Sequence, residues 1–106
     1  MIGTCGFVSF DYNNNSAEIG YVLNPAYWGK EIAKEVVEQI LRYGFEELGL
    51  NRIEARYMVG NKQSSRVMEK CKMQYEGIKR GAVLVNGKYR DVGVYSILKH
   101  EFFSEF

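Results

Sequence analysis

The sequence contains few of the residues from which metal centres, disulfide frameworks and histidine-based catalytic sites are built. Its 106 residues include one histidine, one proline and two cysteines. Cys5 and Cys71 lie far apart, with no CxxC motif and no histidine beside them, so we expect two reduced, partly buried thiols. His100 alone provides too little for a Ser-His-Asp triad or a zinc site, and we therefore expect no metal.

Long apolar runs and runs of like charge are also missing. No segment is apolar over the length of a membrane span, and the residues after Met1 lack a signal-peptide pattern, so we expect a cytoplasmic location and no membrane partner. Fourteen Lys and Arg balance thirteen Asp and Glu, which gives a net charge of +1. Because the sequence has no basic run, we do not expect the protein to bind the phosphate backbone of nucleic acid. Weak association with RNA through local surface patches is the alternative.

The residues that are present indicate one ordered domain. Hydrophobic residues make up 46% of the chain and charged residues 25%, which is ordinary for a globular protein. Residues 2–10 and 16–23 read as strands and flank a short polar loop, which predicts an antiparallel hairpin. A helix is predicted from about residue 27 to residue 48, because apolar residues recur there at helical spacing and Gly49 follows as a C-cap.

The next segments predict a crossover and a second helix. Residues 52–59 alternate cleanly between apolar and polar side chains, as a half-buried strand does. Because a helix separates this strand from the one before it, the two strands should be parallel. A short helix is predicted over residues 61–73, with Asn61 as its N-cap.

A second hairpin closes the predicted fold. Residues 82–85 and 89–98 flank Asn86-Gly87, a dipeptide typical of a type I′ turn. The order is therefore β-β-α-β-α-β-β, which predicts an α+β fold with a mixed, mostly antiparallel sheet and two helices. The aromatic tail from residue 101 to residue 106 should cover an edge of the core, or a partner.

The step from the second strand into the first helix is a candidate anion site. A tight loop follows Leu23 and leads through Gly29 and Lys30 into the helix. Helix N-termini carry unpaired N–H groups and partial positive charge, and Gly29 would let the backbone approach a phosphate closely. Any strand–helix junction offers as much, so an ordinary loop with Trp28 as a packing anchor is the alternative.

Three linked motifs make the chain resemble a known family. The stretch AEIGYVLNPAYWGKEIAKEVV is followed by NKQSSRVMEKCKM and then by DVGVYSILKHE. Together they are similar to the GNAT superfamily of N-acetyltransferases, most of all to the branch with the ribosomal-protein N-terminal acetyltransferases. The matching motifs are Glu-Ile-Gly-Tyr at 18–21, Pro-x-x-Trp-Gly at the start of 25–33, and Asn-x-x-Ser at 61–64. The resemblance covers nearly the whole chain in the right order.

The resemblance implies acetyl-CoA as co-substrate. Backbone amides at 29–33 would hold the pyrophosphate, and the strand edge at 21–23 would pair with the pantetheine arm as an added strand does. Asn61 would bind the pantetheine or support the loop beside it. The implied coenzyme-binding residues are Tyr21, Val22, Leu23, Trp28, Gly29, Lys30, Glu31, Ile32, Ala33, Asn61 and Ser64.

The resemblance also implies a reaction, the direct attack of a primary amine on the acetyl group. The amine must first lose a proton, and Glu18 is the candidate base because it lies on the strand that lines the implied cleft. Ser64 is the candidate donor to the leaving thiolate. The competing interpretations are a solvated strand residue for Glu18 and a local hydrogen bond at the helix start for Ser64.

Three features of the sequence depart from the family pattern. The second glycine of the phosphate loop is Glu31, whose carboxylate would oppose a pyrophosphate if it faced the site. The Gly-Phe that usually closes the second helix is Lys72-Met73, so this helix is expected to end differently. The tyrosine that often serves as general acid is Met68, although the branch named above tolerates an apolar residue there. A non-catalytic or degenerate GNAT module, acting through coenzyme binding or assembly, is therefore the alternative function.

The fourth departure is length. Whole members of the family carry a strand and helices before the segment that matches residue 2, so residues 1–106 are expected to be one partial GNAT domain, its coenzyme-binding C-terminal part. Such a domain would have an unpaired edge at residues 2–10 and an uncovered apolar face. We therefore expect a homodimer or a complementing chain. The sequence does not identify the acceptor amine, and the candidates are protein N-termini, ribosomal proteins, polyamines and antibiotics.

Overall fold

The computed structural model describes residues 3–23, 30–60 and 62–105. Within them the chain forms five strands and three helices. Their bounds are β1 Gly3–Asp11, β2 Ser16–Leu23, α1 Lys30–Glu46, β3 Arg52–Met58, α2 Lys62–Lys70, β4 Gln74–Val85, β5 Lys88–Leu98 and α3 Lys99–Glu105.

The five strands form one sheet in the order β1-β2-β3-β5-β4. Only β2 and β3 are parallel, and the other neighbours are antiparallel. The parallel pair follows from the crossover through α1, since a chain that leaves one end of a strand and returns along a helix re-enters the sheet in the same direction. The predicted α+β fold with a mixed, mostly antiparallel sheet is confirmed.

The core lies between one face of the sheet and the helices. Ala33, Val37, Leu41 and Phe45 recur every four residues along α1, and all four are buried. This stripe packs on the sheet, where Ile53 is fully buried. Burial of a large aliphatic or aromatic side chain contributes roughly 1.5–3 kcal/mol, so this face holds α1 in place.

Both long helices end in a left-handed residue. Gly49, with φ 67°, follows α1 as the sequence predicts. The expectation that α2 ends differently from its relatives is wrong: Lys72 adopts φ 64°, the conformation that the usual glycine would take. Its N–H donates to the Glu69 carbonyl at 3.0 Å, and the Met73 N–H donates to the Met68 carbonyl at 3.1 Å. These two bonds make a Schellman motif, so α2 closes normally with a lysine in a strained conformation.

The last hairpin is longer than the sequence pattern indicates. β4 begins at Gln74, whereas the strand was predicted only from residue 82. Two register shifts interrupt its pairing with β5, one between Tyr75 and Gly77 and one between Lys79 and Val83. Each shift breaks the alternation of apolar and polar residues by which a strand is recognised. The turn is as predicted, because Asn86 and Gly87 both have positive φ, 51° and 77°.

A third helix, α3, is absent from the predicted two-helix order. It spans Lys99–Glu105 and buries Phe102 completely. The Phe102 ring lies 5.4 Å from that of Phe45, and the Arg42 guanidinium stands 5.2 Å above it. The aromatic tail therefore covers a core edge, as expected for Phe102, whereas Phe103 is 43% exposed. Among the described residues, no helix is long and apolar enough to cross a membrane.

Candidate functional site

The two parallel strands part near the middle of the sheet. Their pairing runs from Ser16 opposite Arg52 to Ile19 opposite Ala55. β2 continues to Leu23 paired with β1, while β3 continues paired with β5. Within the described residues, the last part of β2 has no partner strand on the side of β3. The backbone edge of β2 therefore faces an opening between the two strands.

Two helix N-termini lie at the same end of the sheet as this opening. α1 begins at Lys30, after the carboxyl end of β2, and α2 begins at Lys62, after the carboxyl end of β3. The first turn of a helix carries unpaired N–H groups and partial positive charge. Ligands of sheets with parallel strands commonly bind at such a crevice beyond the carboxyl ends. The site can therefore take an extended ligand that carries amides and anionic groups.

The residues predicted to hold a coenzyme are described in part. Trp28, Gly29 and Asn61 lie outside the described residues. The backbones of Tyr21, Val22 and Leu23 belong to β2 and those of Lys30 and Glu31 to α1, but their side chains lie outside the described part. In the first turns of α1, Ala33 is buried and Ile32 is 51% exposed. Coenzyme contacts by these residues stay predictions.

Glu18 lies on the face of the sheet that points away from the helices. Its Oε2 atom is 3.4 Å from Nε of Arg56, and a second nitrogen of Arg56 is 3.5 Å from Oε1 of Glu54. Glu18 and Glu54 stand opposite each other in the parallel pair, so one guanidinium separates two carboxylates. Glu18 is thus a partly buried, ion-paired carboxylate beside the opening, and not an isolated solvated side chain. Reasoning from the sequence missed the role of Arg56. Its place two residues after Glu54, on the same face of β3, could have indicated this ion pair.

Ser64 lies in the first turn of α2, on the helix side of the sheet, and is buried. Glu18 projects on the opposite side. The structure therefore does not bring the two predicted catalytic side chains into contact. It places them on opposite faces of the sheet.

Met68 stands where the family often has a tyrosine that serves as general acid, and here this position belongs to the core. Met68 is fully buried in α2 and packs with the sheet residues. A different tyrosine cluster, unforeseen from the sequence, lies nearby: the Tyr95 ring is 5.7 Å from Tyr57 and 5.4 Å from Tyr75. The Tyr95 hydroxyl donates to Glu69 at 3.0 Å. Burial, together with this bond, raises the pKa of Tyr95 to about 12, so its proton is held and not released near neutral pH.

The face of the sheet that points away from the helices is here called the open face. The side chains at its centre are charged. Arg52 makes bonds of 2.8 and 2.7 Å to the two carboxylate oxygens of Glu76, and one of 2.8 Å to Glu54. The Ser96 hydroxyl also donates to Glu76. The bonds from Arg52 and Ser96 lower the pKa of Glu76 to about 2. The prediction of an uncovered apolar face is therefore wrong for the centre of the sheet. Exposed apolar side chains such as Val8 lie towards the edges of the sheet.

Comparisons with known proteins place this geometry in a family context. Residues 1–74 match the sequence profile described as "Acetyltransferase (GNAT) domain". The chain is 42% identical over 102 residues to p20 of Bacillus licheniformis, named as an uncharacterised N-acetyltransferase; this match covers 96% of the chain and 57% of p20. It is 38% identical over 104 residues to YdaF of Bacillus subtilis, a candidate ribosomal N-acetyltransferase by its name, with coverages of 95% and 57%.

A solved structure with the same fold is that of a variant of spermidine N-acetyltransferase SpeG from Vibrio cholerae. The TM-score is 0.87 at 28% sequence identity, and the match covers 98% of this chain and 62% of that chain. The chain spans little more than half the length of the curated relatives that it matches.

Proposed function

The chain belongs to the GNAT family of acetyltransferases, and from this membership we propose that it is an acetyl-CoA-dependent N-acetyltransferase. The reaction is the transfer of an acetyl group to a primary amine by direct attack of the amine. The observation that carries the proposal is the parting of β2 from β3 beside the starts of α1 and α2. Acetyl-CoA supplies the activated acetyl thioester.

The described residues fit such a donor. The free backbone edge of β2 at its carboxyl end offers N–H and C=O groups to a ligand that carries amides, as in the addition of a strand. The start of α1 offers unpaired N–H groups to phosphates. We propose that Tyr21, Val22 and Leu23 supply that edge, and that the backbone from Gly29 to Ala33 supplies the phosphate contacts.

We propose Glu18 as the group that accepts the proton of the amine. Its carboxylate borders a surface cavity of about 240 Å³ that is also lined by Arg56, Met58, Val83 and Val92. An amine entering this cavity from the open face would meet Glu18 before it reached the opening between the strands. Arg56 holds the carboxylate in place from one side, which positions the base for proton transfer.

We propose that Ser64 stabilises the leaving thiolate from the other side of the sheet. A thiol has a pKa of about 8.5, so the departing sulfur needs only modest help. A hydroxyl in the first turn of α2 can donate one hydrogen bond there, and the positive end of the helix dipole adds to it. Asn61, which precedes this turn, would contact the coenzyme.

The proposal is tested by calorimetric titration of the full chain with acetyl-CoA, alongside Glu31→Gly. Binding in the micromolar range by the native chain supports a working donor site. Release of free thiol is then followed with a panel of amines, in the native chain and in Glu18→Gln. The variant should lose most of the rate and keep its affinity for acetyl-CoA, because a general base contributes about 10²- to 10⁴-fold.

The alternative of a degenerate module makes the opposite forecast. Binding by Glu31→Gly but not by the native chain would mean that the carboxylate at position 31 disables the phosphate site. Binding by the native chain without thiol release for any amine would leave a module that binds the coenzyme only. No binding by either protein would contradict the proposed donor site.

We also propose that a second copy of the chain covers β1. This strand lies at the edge of the sheet, and its Val8 is 61% exposed. Edge strands with exposed apolar side chains are prone to pair with another chain. A complementing chain of different sequence is the alternative occupant.

A further inference from the structure

The β4–β5 hairpin carries a concentration of positive charge. Between residues 79 and 90 there are four cations, Lys79, Arg80, Lys88 and Arg90, and no Asp or Glu. All four residues are exposed. Within the described part of the chain, none of them lies within ion-pair distance of a carboxylate. This basic hairpin therefore presents its charge to solvent.

The hairpin projects at the end of the sheet where β2 and β3 part. The pairing of β3 with β5 ends at Met58 opposite Val92, and β4 and β5 continue beyond it towards their turn. Lys79 stands opposite Val92, and Arg90 precedes Val92 by two residues. Paired residues, and residues two apart in a strand, point to the same face. Lys79 and Arg90 therefore share the face that carries Glu18.

Two surface cavities connect Glu18 with this hairpin. The cavity of about 240 Å³ reaches from Glu18 to Met58 and Val83. A second cavity of about 520 Å³ is lined by Met58, Val59, Val85, Tyr89, Arg90 and Asp91. Met58 lines both, so the two cavities adjoin at this residue, and together they are here called the acceptor groove.

The charges that line the acceptor groove are balanced, whereas the charges around its outer end are uneven. At its inner end, Glu18 is paired with Arg56. Among the described residues that line its outer end, the one carboxylate is Asp91, which accepts a hydrogen bond from the Gly81 N–H at 2.8 Å. Lys79, Arg80 and Lys88 do not line the groove but lie on the same hairpin as Arg90, so the cations around the outer end outnumber the carboxylates. A polycationic acceptor would be repelled at this end, and an anionic one attracted.

We propose that the acceptor is a polypeptide whose free N-terminal amine is followed by acidic residues. The amine would reach Glu18, and the carboxylates that follow would lie along the hairpin. This inference rests on the proposed acetyl transfer for its choice of substrate, but the preference for acidic residues is a property of binding. Tyr89, which is 73% exposed, lines the outer cavity next to Arg90.

The test uses the full chain with coenzyme A and three C-terminally labelled decapeptides that share their first two residues. The remaining positions are acidic, neutral or basic. Fluorescence anisotropy should show the acidic peptide binding about tenfold more tightly than the neutral one at low salt, and the basic peptide more weakly. The difference should shrink as salt is raised, because the screening length falls from about 10 Å at 0.1 M to about 3 Å at 1 M.

A charge-reversed hairpin provides the decisive variant. Lys88→Glu combined with Arg90→Glu should abolish or invert the preference. Lys99→Glu is a control for the reversal of one charge away from the hairpin, since Lys99 is an exposed cation at the start of α3, at the other end of β5, and its variant should keep the preference. Circular dichroism melting checks that each variant is folded.

Three results would overturn the inference. The acidic peptide could bind no more tightly than the neutral one, or the reversed hairpin could keep the native preference. Single-stranded RNA could bind the hairpin more tightly than the acidic peptide, which would make it a nucleic-acid surface. Acetylation is followed separately: loss of all acetyl transfer with the binding preference intact contradicts the proposed function and leaves the inference standing.

Discussion

At the scale of single residues, backbone conformation was predictable where the residue type matches it. Gly49 and the Asn86-Gly87 pair adopt positive φ, as glycine and asparagine readily do. Lys72 adopts the same conformation although a side chain disfavours it. The sequence could not reveal this, because the buried Met68 and Met73 on either side fix the path of the chain through tertiary packing.

Replacing the strained lysine should stabilise the protein. In Lys72→Gly the left-handed conformation carries no Cβ penalty, so the free energy of unfolding should rise by about 0.5–1 kcal/mol. Urea denaturation followed by circular dichroism measures the change. Lys72→Ala is the control, because it removes the same charge but keeps the Cβ atom. Equal stability of the two variants would show that the conformation at residue 72 carries no strain.

At the scale of elements, the sequence predicted those strands and helices whose pattern is regular. β2, β3 and α1 are close to their predicted bounds, since nothing interrupts their periodicity. The first half of β4 was missed because its two bulges shift the faces of its residues. α3 was missed because seven residues give too few turns for a helical period to appear.

Three strands are joined on the open face by the carboxylate of Glu76. It accepts bonds from Arg52 of β3 and Ser96 of β5, and these lower its pKa from 4.5 to about 2. A carboxylate with a lowered pKa stabilises the folded state fully above pH 4.5, and this contribution is lost as the pH falls towards 2. Glu76 is partly exposed, so screening should limit the contribution to about 1 kcal/mol.

The acid dependence of stability should therefore change in Glu76→Gln. The variant should be less stable than the native chain at pH 7, and its free energy of unfolding should fall less steeply between pH 4.5 and pH 2. Urea denaturation at a series of pH values measures both. Glu46→Gln removes a carboxylate from the exposed pair with Arg42 and should keep the native slope. Identical slopes for the two variants would contradict the assignment to Glu76.

At the scale of the whole molecule, the motifs predict where the candidate site lies, but not which side chains line each face of the sheet beside it. The order of strands and helices is enough to place two helix N-termini at one end of the sheet. The register that puts Arg56 between Glu18 and Glu54 depends on which residues of β2 and β3 stand opposite each other. The basic hairpin was overlooked because its cations are separated in the sequence and gather only when β4 pairs with β5.

Self-association through β1 is a property of the whole chain. A dimer should be seen by sedimentation velocity, and Val8→Lys should raise its dissociation constant about tenfold or more, because a lysine on an edge strand opposes pairing. Tyr12→Lys is the control, since Tyr12 is also exposed, at 79%, but follows the end of β1. A native chain that sediments as a monomer, or dissociation by both variants, would contradict a dimer formed through β1.

The central place of β3 has a consequence for how the chain folds. The two hairpins join neighbouring segments and can close early, whereas β3 must find β2 across the α1 crossover and β5 across α2 and β4. These distant pairings raise the contact order, which slows folding relative to a helical bundle of similar size. The cleft between β2 and β3 would then be among the last features to form, since it exists only once β3 has joined both partners.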